Sequence, residues 1–552
     1  MSEGFASIAS YLPRMAARQP HALAIVHPDG RDGQGVARYT HYTYAQLDRQ
    51  SDLIARGLQA LGVGPRVRTV LMVRPSLEFF ALTFGLLKAG AVPVMVDPGI
   101  GLASLKTCLG EAEPEAFIGS PLAHAARVVL GWGRATIKTR ITVGRRLFWG
   151  GRTLAQVKAI GRSRPSQPIP PVGERDLAAI VFTSGSTGIP KGVVYDHGNF
   201  ASQVEMIRDL YDIRPGEIDL PTFPLFALFD PALGMTTIVP DMDPTRPAQV
   251  DPRTIIEAIE DFGVTNMFGS PALLDTVGRY GAQHGVKLPS LKRVISAGAP
   301  VSAAVMERFL GLLETDAKIV TPYGATESLP VASISSDEVL GETRKRTDQG
   351  NGICVGRPVA PMRVSVIRID DDPIKVWDDA LCVPTGEIGE IVVKGPPVTR
   401  TYFRRERTTE LAKIRDAGGE GFFHRMGDLG HLDEQGRLWF CGRKTQRVVT
   451  SSRTLFTIPC EAVFNTHPGV YRSALVGARV NGETRPVLCV ELERGVKPDH
   501  ALTRDLLALG AEHEHTRQID TVLYHDGFPV DTRHNAKIGR EKLAVWAARR
   551  LR

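Results

Sequence analysis

An α/β fold is predicted, with a large N-terminal domain of mostly parallel sheets and helices and a small α+β C-terminal domain. Three observations predict it. The chain has 552 residues, more than one hydrophobic core usually supports. Through the first part, short apolar runs alternate with helical patterns, the grammar of strand–helix–strand units and a parallel sheet. Beyond about Gly442 the grammar changes to paired strands followed by helices. A boundary near Arg443, giving domains of 1–442 and 443–552, is the simplest account.

The elements carry their own signals. Residues 68–73 read as a buried strand, Ser76 as the cap of a helix running to about Lys88, Gly90 as its end, and 91–96 as the next strand. The same order recurs at 264–268 and 291–296. The stretch 164–173, rich in proline and serine, reads as a connector. In the C-terminal part, 470–478 and 486–492 read as strands, and 501–513 and 540–551 as helices.

Composition narrows the function classes. Hydrophobic residues are 43% and charged residues 23%, as in soluble globular proteins. No apolar run is long enough to span a bilayer, and the first twenty residues lack the apolar core of a signal peptide; a cytoplasmic location is expected. The six cysteines form no CxxC pair and have no histidines at metal-ligand spacing, so they read as reduced thiols. Net charge is +7, but residues 117–173 contain no acid and ten bases, from Arg127 to Arg164. Such a run can attract an anionic membrane surface or an acidic partner, and is more often a solvated basic face. Few aromatics interleave it, and nucleic acid is not an expected partner.

The sharpest local signal is Phe182-Thr183-Ser184-Gly185-Ser186-Thr187-Gly188-Ile189-Pro190-Lys191-Gly192, which leaves the end of the apolar run 177–182. Its glycines let the backbone fold tightly and turn N–H groups inward. Thr183, Ser184, Ser186 and Thr187 add hydroxyls and Lys191 a positive charge, a set suited to a triphosphate. Walker A spacing is absent.

This segment resembles the phosphate loop of the acyl-adenylate-forming superfamily, which includes acyl-CoA synthetases, luciferases and peptide-synthetase adenylation domains. The resemblance continues in order along the chain. It implies the adenylate-forming enzyme fold, ATP and Mg2+ as cofactors, and transfer of AMP to a carboxylate. Ala297-Gly298-Ala299-Pro300 resembles the loop that borders the adenine. Tyr323-Gly324-Ala325-Thr326-Glu327 resembles the motif whose ring stacks on adenine, whose threonine contacts phosphate and whose glutamate ligates Mg2+. Gly427-Asp428-Leu429 resembles the ribose-binding motif, and Gly442-Arg443 the opening of the small domain, where the arginine reaches the nucleotide. Asn535-Ala536-Lys537-Ile538 resembles the catalytic-lysine motif. The resemblance thus implies Lys537, Lys191, Thr326 and Glu327 as catalytic, within a nucleotide pocket made of these loops. The chemistry needs them, because a carboxylate and a triphosphate repel until cations and donors neutralise the developing charge.

Four positions depart from the superfamily pattern. Thr445 stands where the hinge Asp or Lys is usual. Thr450-Ser451-Ser452-Arg453 replaces a glycine-bearing turn, Ala536 precedes the catalytic lysine in place of glycine, and Ala227 follows Pro224-Leu225-Phe226 in place of histidine. Together they weigh against a thiol acceptor. A hydroxyl already on the substrate is the economical alternative, because its effective concentration is very high. These departures, with the segment 528–540, resemble the branch that closes β-lactones in bacterial olefin biosynthesis. That branch implies a long-chain 2-alkyl-3-hydroxy (β-hydroxy) acid as substrate and partner enzymes of the olefin pathway. A fatty-acyl-CoA synthetase or acyl-AMP ligase is the nearest rival. A non-catalytic binding protein is the rival from another class, and the complete set Lys191, Glu327, Asp428, Arg443 and Lys537 argues against it.

For the acyl pocket, 223–235 is apolar enough to contribute Phe226 and Phe229, with 264–274 beside it, and core packing explains these residues equally well. Asp230 in the same stretch could orient a hydroxyl or act as a base with a raised pKa, and a structural hydrogen bond is the more common role.

Overall fold

The apolar runs become the inner strands of two large sheets. The computed structural model describes residues 7–96, 100–165, 168–183, 190–530 and 538–551. In one sheet the strands lie in the order Arg152–Thr153, Thr139–Thr142, Ala116–Gly119, Arg68–Met72, Val92–Val96, Leu177–Thr183 and Lys191–Asp196. Every neighbouring pair is parallel except the last, which is antiparallel. The helix Leu77–Lys88 starts where Ser76 Oγ accepts the Phe79 N–H and stops before Gly90, whose φ is 74°. Apolar around its whole circumference, it is buried on all sides.

The second sheet has fourteen strands among the described residues. Its parallel half runs Thr236–Ile238, Ile218–Pro221, Asn266–Phe268, Arg293–Ile295 and Lys318–Ala325. From Ser328–Ser335 onward it turns antiparallel, through Ile353–Pro358, Leu438–Arg443, Phe422–Leu432 and Gly389–Lys394. The mostly parallel expectation therefore describes the first sheet and half of the second. The expected strands 264–268 and 291–296 are each shorter by one or two residues at an end, where pairing gives way to loop.

After Arg443 come the hairpin Val448–Val449 with Thr454–Leu455 and a three-stranded sheet of Val470–Val480, Glu483–Leu492 and Val522–Tyr524. The helices Thr457–Phe464, His500–Ala511 and Arg540–Arg550 pack on it. Two hydrophobic clusters, one around Leu475, Leu488 and Leu506 and one around Val476, Val487 and Leu543, are drawn wholly from 448–551. This part carries a core of its own. Among the described residues no helix is long and apolar enough to cross a membrane.

Parallel strands aim their carboxyl ends, and the loops that follow, at one side of a sheet. Both sheets do so here: Met72, Val96 and Phe182 from the first and Pro221, Phe268 and Ser296 from the second meet around a single cavity of about 2740 Å3.

Candidate active site

The phosphate-loop segment connects an antiparallel pair, with Thr183 opposite Lys191. Ser184, Gly185, Ser186, Thr187 and Gly188 lie outside the described residues, as does the side chain of Thr183. Lys191, at the far end of that connection, lines the cavity with its Nζ 5.3 Å from the centre of the Tyr402 ring. Burial lowers its ammonium from the ordinary lysine value, against support from the Glu327 carboxylate.

Glu327 sits at the tight end of the hairpin formed by Lys318–Ala325 and Ser328–Ser335. Gly324 is required there, since a Cβ on it would meet the Ser328 carbonyl oxygen at 2.6 Å. The loop is pinned from three sides. Tyr195 O–H donates to the Thr326 carbonyl at 2.5 Å, Thr399 N–H donates to the Glu327 carbonyl at 2.9 Å, and Tyr402 O–H donates to Glu327 Oε1 at 2.6 Å. Thr326 and Glu327 both line the cavity.

Another part of the cavity is built across two antiparallel strands on which Asp428 and Arg443 are cross-strand partners. Arg443 Nη1 lies 3.0 Å from Asp428 Oδ1, and Tyr323 O–H donates to Asp428 Oδ2 at 2.7 Å. Both carboxylate oxygens are thus engaged. The Asp428 charge raises the Arg443 guanidinium further, while burial and the same carboxylate push the Tyr323 phenol well up. Gly298, Ala299 and Pro300 form the facing wall after the strand Arg293–Ile295, with Gly298 at φ 95°. The structure therefore brings Lys191, Tyr323, Gly324, Ala325, Thr326, Glu327, Asp428, Arg443 and the 298–300 loop to one cavity.

An apolar arm leaves this centre. Phe223, Phe226 and Phe229 line it, with the Phe226 ring 4.5 Å from that of Phe268 and 5.2 Å from that of Phe223. Asp230 is not brought to the cavity, which corrects its expected place in the acyl pocket. Its residue opens the short helix Asp230–Leu233, which turns the carboxyl inward to accept from Thr237 Oγ1 at 2.9 Å. There it faces Asp219, which accepts from Asn266 Nδ2 at 2.5 Å. Burial and the neighbouring carboxyl raise Asp230 well above the usual range, the mark of a buried acid pair sharing a proton. Its hydrogen bond to Thr237 and its raised carboxyl are both enclosed away from the cavity.

From the C-terminal part, Ile538, Arg540, Glu541 and Lys542 line the cavity. Lys537 lies outside the described residues. Arg540 is anchored to buried Glu461, with Nε to Oε1 at 3.0 Å and Nη2 to Oε2 at 2.5 Å, and Glu461 also accepts the Leu475 N–H at 2.8 Å.

Sequence reasoning missed four supporting residues. Tyr195 and Tyr402 hold the 326–327 turn. Lys413, fully enclosed, donates from Nζ to the Thr399 carbonyl, and burial lowers its ammonium to about 7. His424 lines the cavity with Nδ1 3.1 Å from the Ala412 carbonyl, and burial beside Lys413 keeps it neutral, well below the ordinary histidine value. No local spacing marks any of them; a tyrosine and a lysine acting on backbone carbonyls leave no motif.

Comparison with known proteins follows this geometry. Residues 12–403 match the family described as AMP-binding enzyme. The chain is 53% identical over 548 residues to an olefin beta-lactone synthetase of Xanthomonas campestris pv. campestris, covering 98% of this chain and 97% of that protein. It is 53% identical over 550 residues to an olefin beta-lactone synthetase of Stenotrophomonas maltophilia, covering 99% and 98%. Among solved structures, an amide bond synthetase from Marinactinospora thermotolerans superposes with a TM-score of 0.77 at 22% identity, over 98% of this chain and 99% of that one. At that identity the likeness speaks for the fold alone, and the fold is that of adenylate-forming enzymes.

Proposed function

The chain belongs to the AMP-binding enzyme family, and from that premise we propose that it is an ATP-dependent β-lactone synthetase acting on a long-chain 2-alkyl-3-hydroxy acid. The observation that carries this reading is 53% identity, along almost the whole chain, to two proteins named olefin beta-lactone synthetase. Residues 1–442 would form the adenylation domain and 443–552 a mobile domain that delivers Lys537.

In the first step a carboxylate oxygen attacks the α-phosphorus, the bond from that phosphorus to the bridging oxygen breaks, and pyrophosphate leaves. In the second, the β-hydroxyl oxygen attacks the acyl carbon and the bond from that carbon to the AMP oxygen breaks. AMP departs, the hydroxyl proton is released, and a four-membered lactone remains. Both steps join groups of like charge or weak nucleophilicity, so preset positive charge and orientation dominate the rate. On this reading Lys191 and Lys537 neutralise phosphate and carboxylate charge, and Thr326 with the loop 183–188 donates to phosphate oxygens. Tyr323, the 298–300 loop, Asp428 and Arg443 hold the nucleoside.

Glu327 is the residue that would hold Mg2+. A hard carboxylate oxygen, fixed by Tyr402 and facing a polyphosphate, suits an ion that takes phosphate and water oxygens as its other ligands. Bound there, Mg2+ would spread the negative charge of the leaving pyrophosphate. Phe226 and Phe229 would line the path of the alkyl chains. The cytoplasm is the proposed site of action, in assembly with olefin-pathway enzymes that make the acid and consume the lactone.

The test supplies ATP, Mg2+ and a racemic 2-alkyl-3-hydroxy acid without coenzyme A and follows products by NMR. Lactone ring protons, with AMP and pyrophosphate, are the expected result. An adenylate that persists until coenzyme A is added would overturn the reading in favour of an acyl-CoA synthetase.

A further inference from the structure

We propose that the helix Pro121–Leu130, the start of the helix Leu102–Ala112 and the loop at 144–149 together form a docking surface for an anionic lipid bilayer, set at a mouth of the cavity. The role as a mouth rests on the long-chain acid reading; the docking itself does not.

Three observations converge on this face. The first is exposed apolar surface. Thirteen large hydrophobic side chains are exposed among the described residues, and six of them fall between 102 and 148: Leu102, Leu122, Val128, Val129, Leu147 and Phe148. Val129 and Phe148 are 82% and 78% exposed, so they protrude rather than line a groove. Leu122 and Val129, seven residues apart, share one stripe of their helix. The loop lies against the same helix: Phe148 meets Trp149 edge-on at 5.3 Å, and Trp149 stacks on His124 of that helix at 5.3 Å. Val128, four residues beyond His124, lies on the side of the helix that the loop packs against, and Leu122 with Val129 on the side next to it.

Charge is the second. No acid occurs from 117 to 173. Arg134, Lys138, Arg145 and Arg146 are exposed around the patch, and none forms an ion pair among the described residues. Arg127, buried beneath it, has its Nε without a hydrogen-bond partner and the charge of Arg140 close by. An excess of positive charge on these segments attracts an anionic surface, and each base close to an anionic leaflet adds to the attraction. Apolar insertion and a basic patch are the two signals that stable surface anchoring requires together.

The third is continuity with the cavity. Leu102 and Leu122 are at once solvent-exposed and part of the cavity wall, with Leu105, Ala126 and Trp132 behind them. The cavity thus reaches the surface at these two helices. A long-chain acid partitions into lipid and is scarce in water, so a mouth pressed to the headgroup layer receives it without an aqueous transit. Protruding side chains, with no acid on the helix Pro121–Leu130 or the loop at 144–149, suit a fluid lipid surface better than a shaped protein groove.

The test sediments the full chain with vesicles of phosphatidylglycerol and, separately, of phosphatidylcholine, with no ATP or acid present. Two double variants are compared, Val129→Glu with Phe148→Glu, and Arg145→Glu with Arg146→Glu. The expected result is binding to phosphatidylglycerol that salt weakens, is about tenfold weaker to phosphatidylcholine, and falls about tenfold in each variant. Both variants should keep the parent melting curve and turn over a short, water-soluble β-hydroxy acid at the parent rate. No binding to phosphatidylglycerol overturns the proposal. So does equal binding by the variants, or a change in their oligomeric state in place of lipid affinity, which would mark the face as a protein contact. Because lipid binding is read without substrate, its failure is separate from failure of the β-lactone reading.

Discussion

Replacing Lys413 with methionine probes how the floor under the Glu327 turn is built. Lys413 opens the strand Lys413–Arg415 and is buried, with its Nζ donating to the Thr399 carbonyl. Thr399 in turn holds the Glu327 carbonyl. Burial lowers the folded-state ammonium from 10.5 to about 7, with Glu327 opposing the shift. A folded value below the unfolded one means that, between them, the unfolded chain keeps a proton the native chain has shed. This lysine therefore makes stability rise with pH across that interval, and its burial penalty is greatest below it. Between about pH 7 and about pH 9 the gain comes to roughly 2 kcal/mol. Methionine keeps the length and carries no proton, so the variant lacks the gain. Urea denaturation of both proteins at the two pH values is the assay, and the parent should gain about 2 kcal/mol on the variant. A difference between the two proteins that stays constant from pH 7 to pH 9 would show that the ammonium is not desolvated, and the account of this floor would be wrong.

Other substitutions read different parts of the site. Tyr402→Phe removes the hydrogen bond to Glu327 Oε1; ATP–pyrophosphate exchange should fall about tenfold, as the loss of a charge-assisted bond of about 1.5 kcal/mol requires, with an unchanged melting curve. Arg540→Lys gives up the two-pronged pairing and leaves Glu461 buried with less support, a loss of about 3 kcal/mol that denaturant unfolding would show. Lys537→Ala should abolish adenylate formation with the fold intact, and near-normal pyrophosphate release from it would remove that lysine from the mechanism.

Legibility in the sequence followed how locally each feature is encoded. The helix Leu77–Lys88 was readable from Ser76 and Gly90 because a cap and a stop are single-residue events. Strands Val470–Val480 and Glu483–Leu492 were readable from the apolar runs at their centres, 474–478 and 486–490. Tyr323, Asp428 and Arg443 were found because each lies in its own short motif, although their mutual contact spans more than a hundred residues of chain and no spacing reports it. The antiparallel half of the second sheet was not foreseen. Its strands are interrupted by bulges, as between Leu429 and Gly430, and these break the alternation that a sequence reader follows. Asp230 was misplaced for a related reason. In a four-residue helix the direction of one carboxyl is set by tertiary partners, here Thr237 and Asp219, and not by helical period.

The identity of the acyl acceptor turns on what the site admits. The turn Thr450-Ser451-Ser452-Arg453, which the resemblance sets against a glycine-bearing turn, is closed on itself. Thr450 Oγ1 accepts the Arg453 N–H at 3.1 Å and donates to the Arg453 carbonyl at 2.9 Å, and Arg453 Nη1 reaches the Glu514 carbonyl at 2.8 Å. With a hydroxyl two carbons from the activated carbonyl, ring closure competes chiefly with water. Its advantage, an effective concentration of about 10^5 M or more, holds only while water is kept from the adenylate. The ring of Phe226, 5.2 Å from that of Phe223 and 4.5 Å from that of Phe268, is placed to do that work along the apolar arm. Phe226→Ala opens this wall. It should leave pyrophosphate release within a few-fold of the parent while shifting product from lactone toward free acid, a ratio that NMR reads directly. Were both rates to fall together with the ratio unchanged, Phe226 would be binding the chain and not excluding water, and the partition between lactone and acid would have to be set elsewhere.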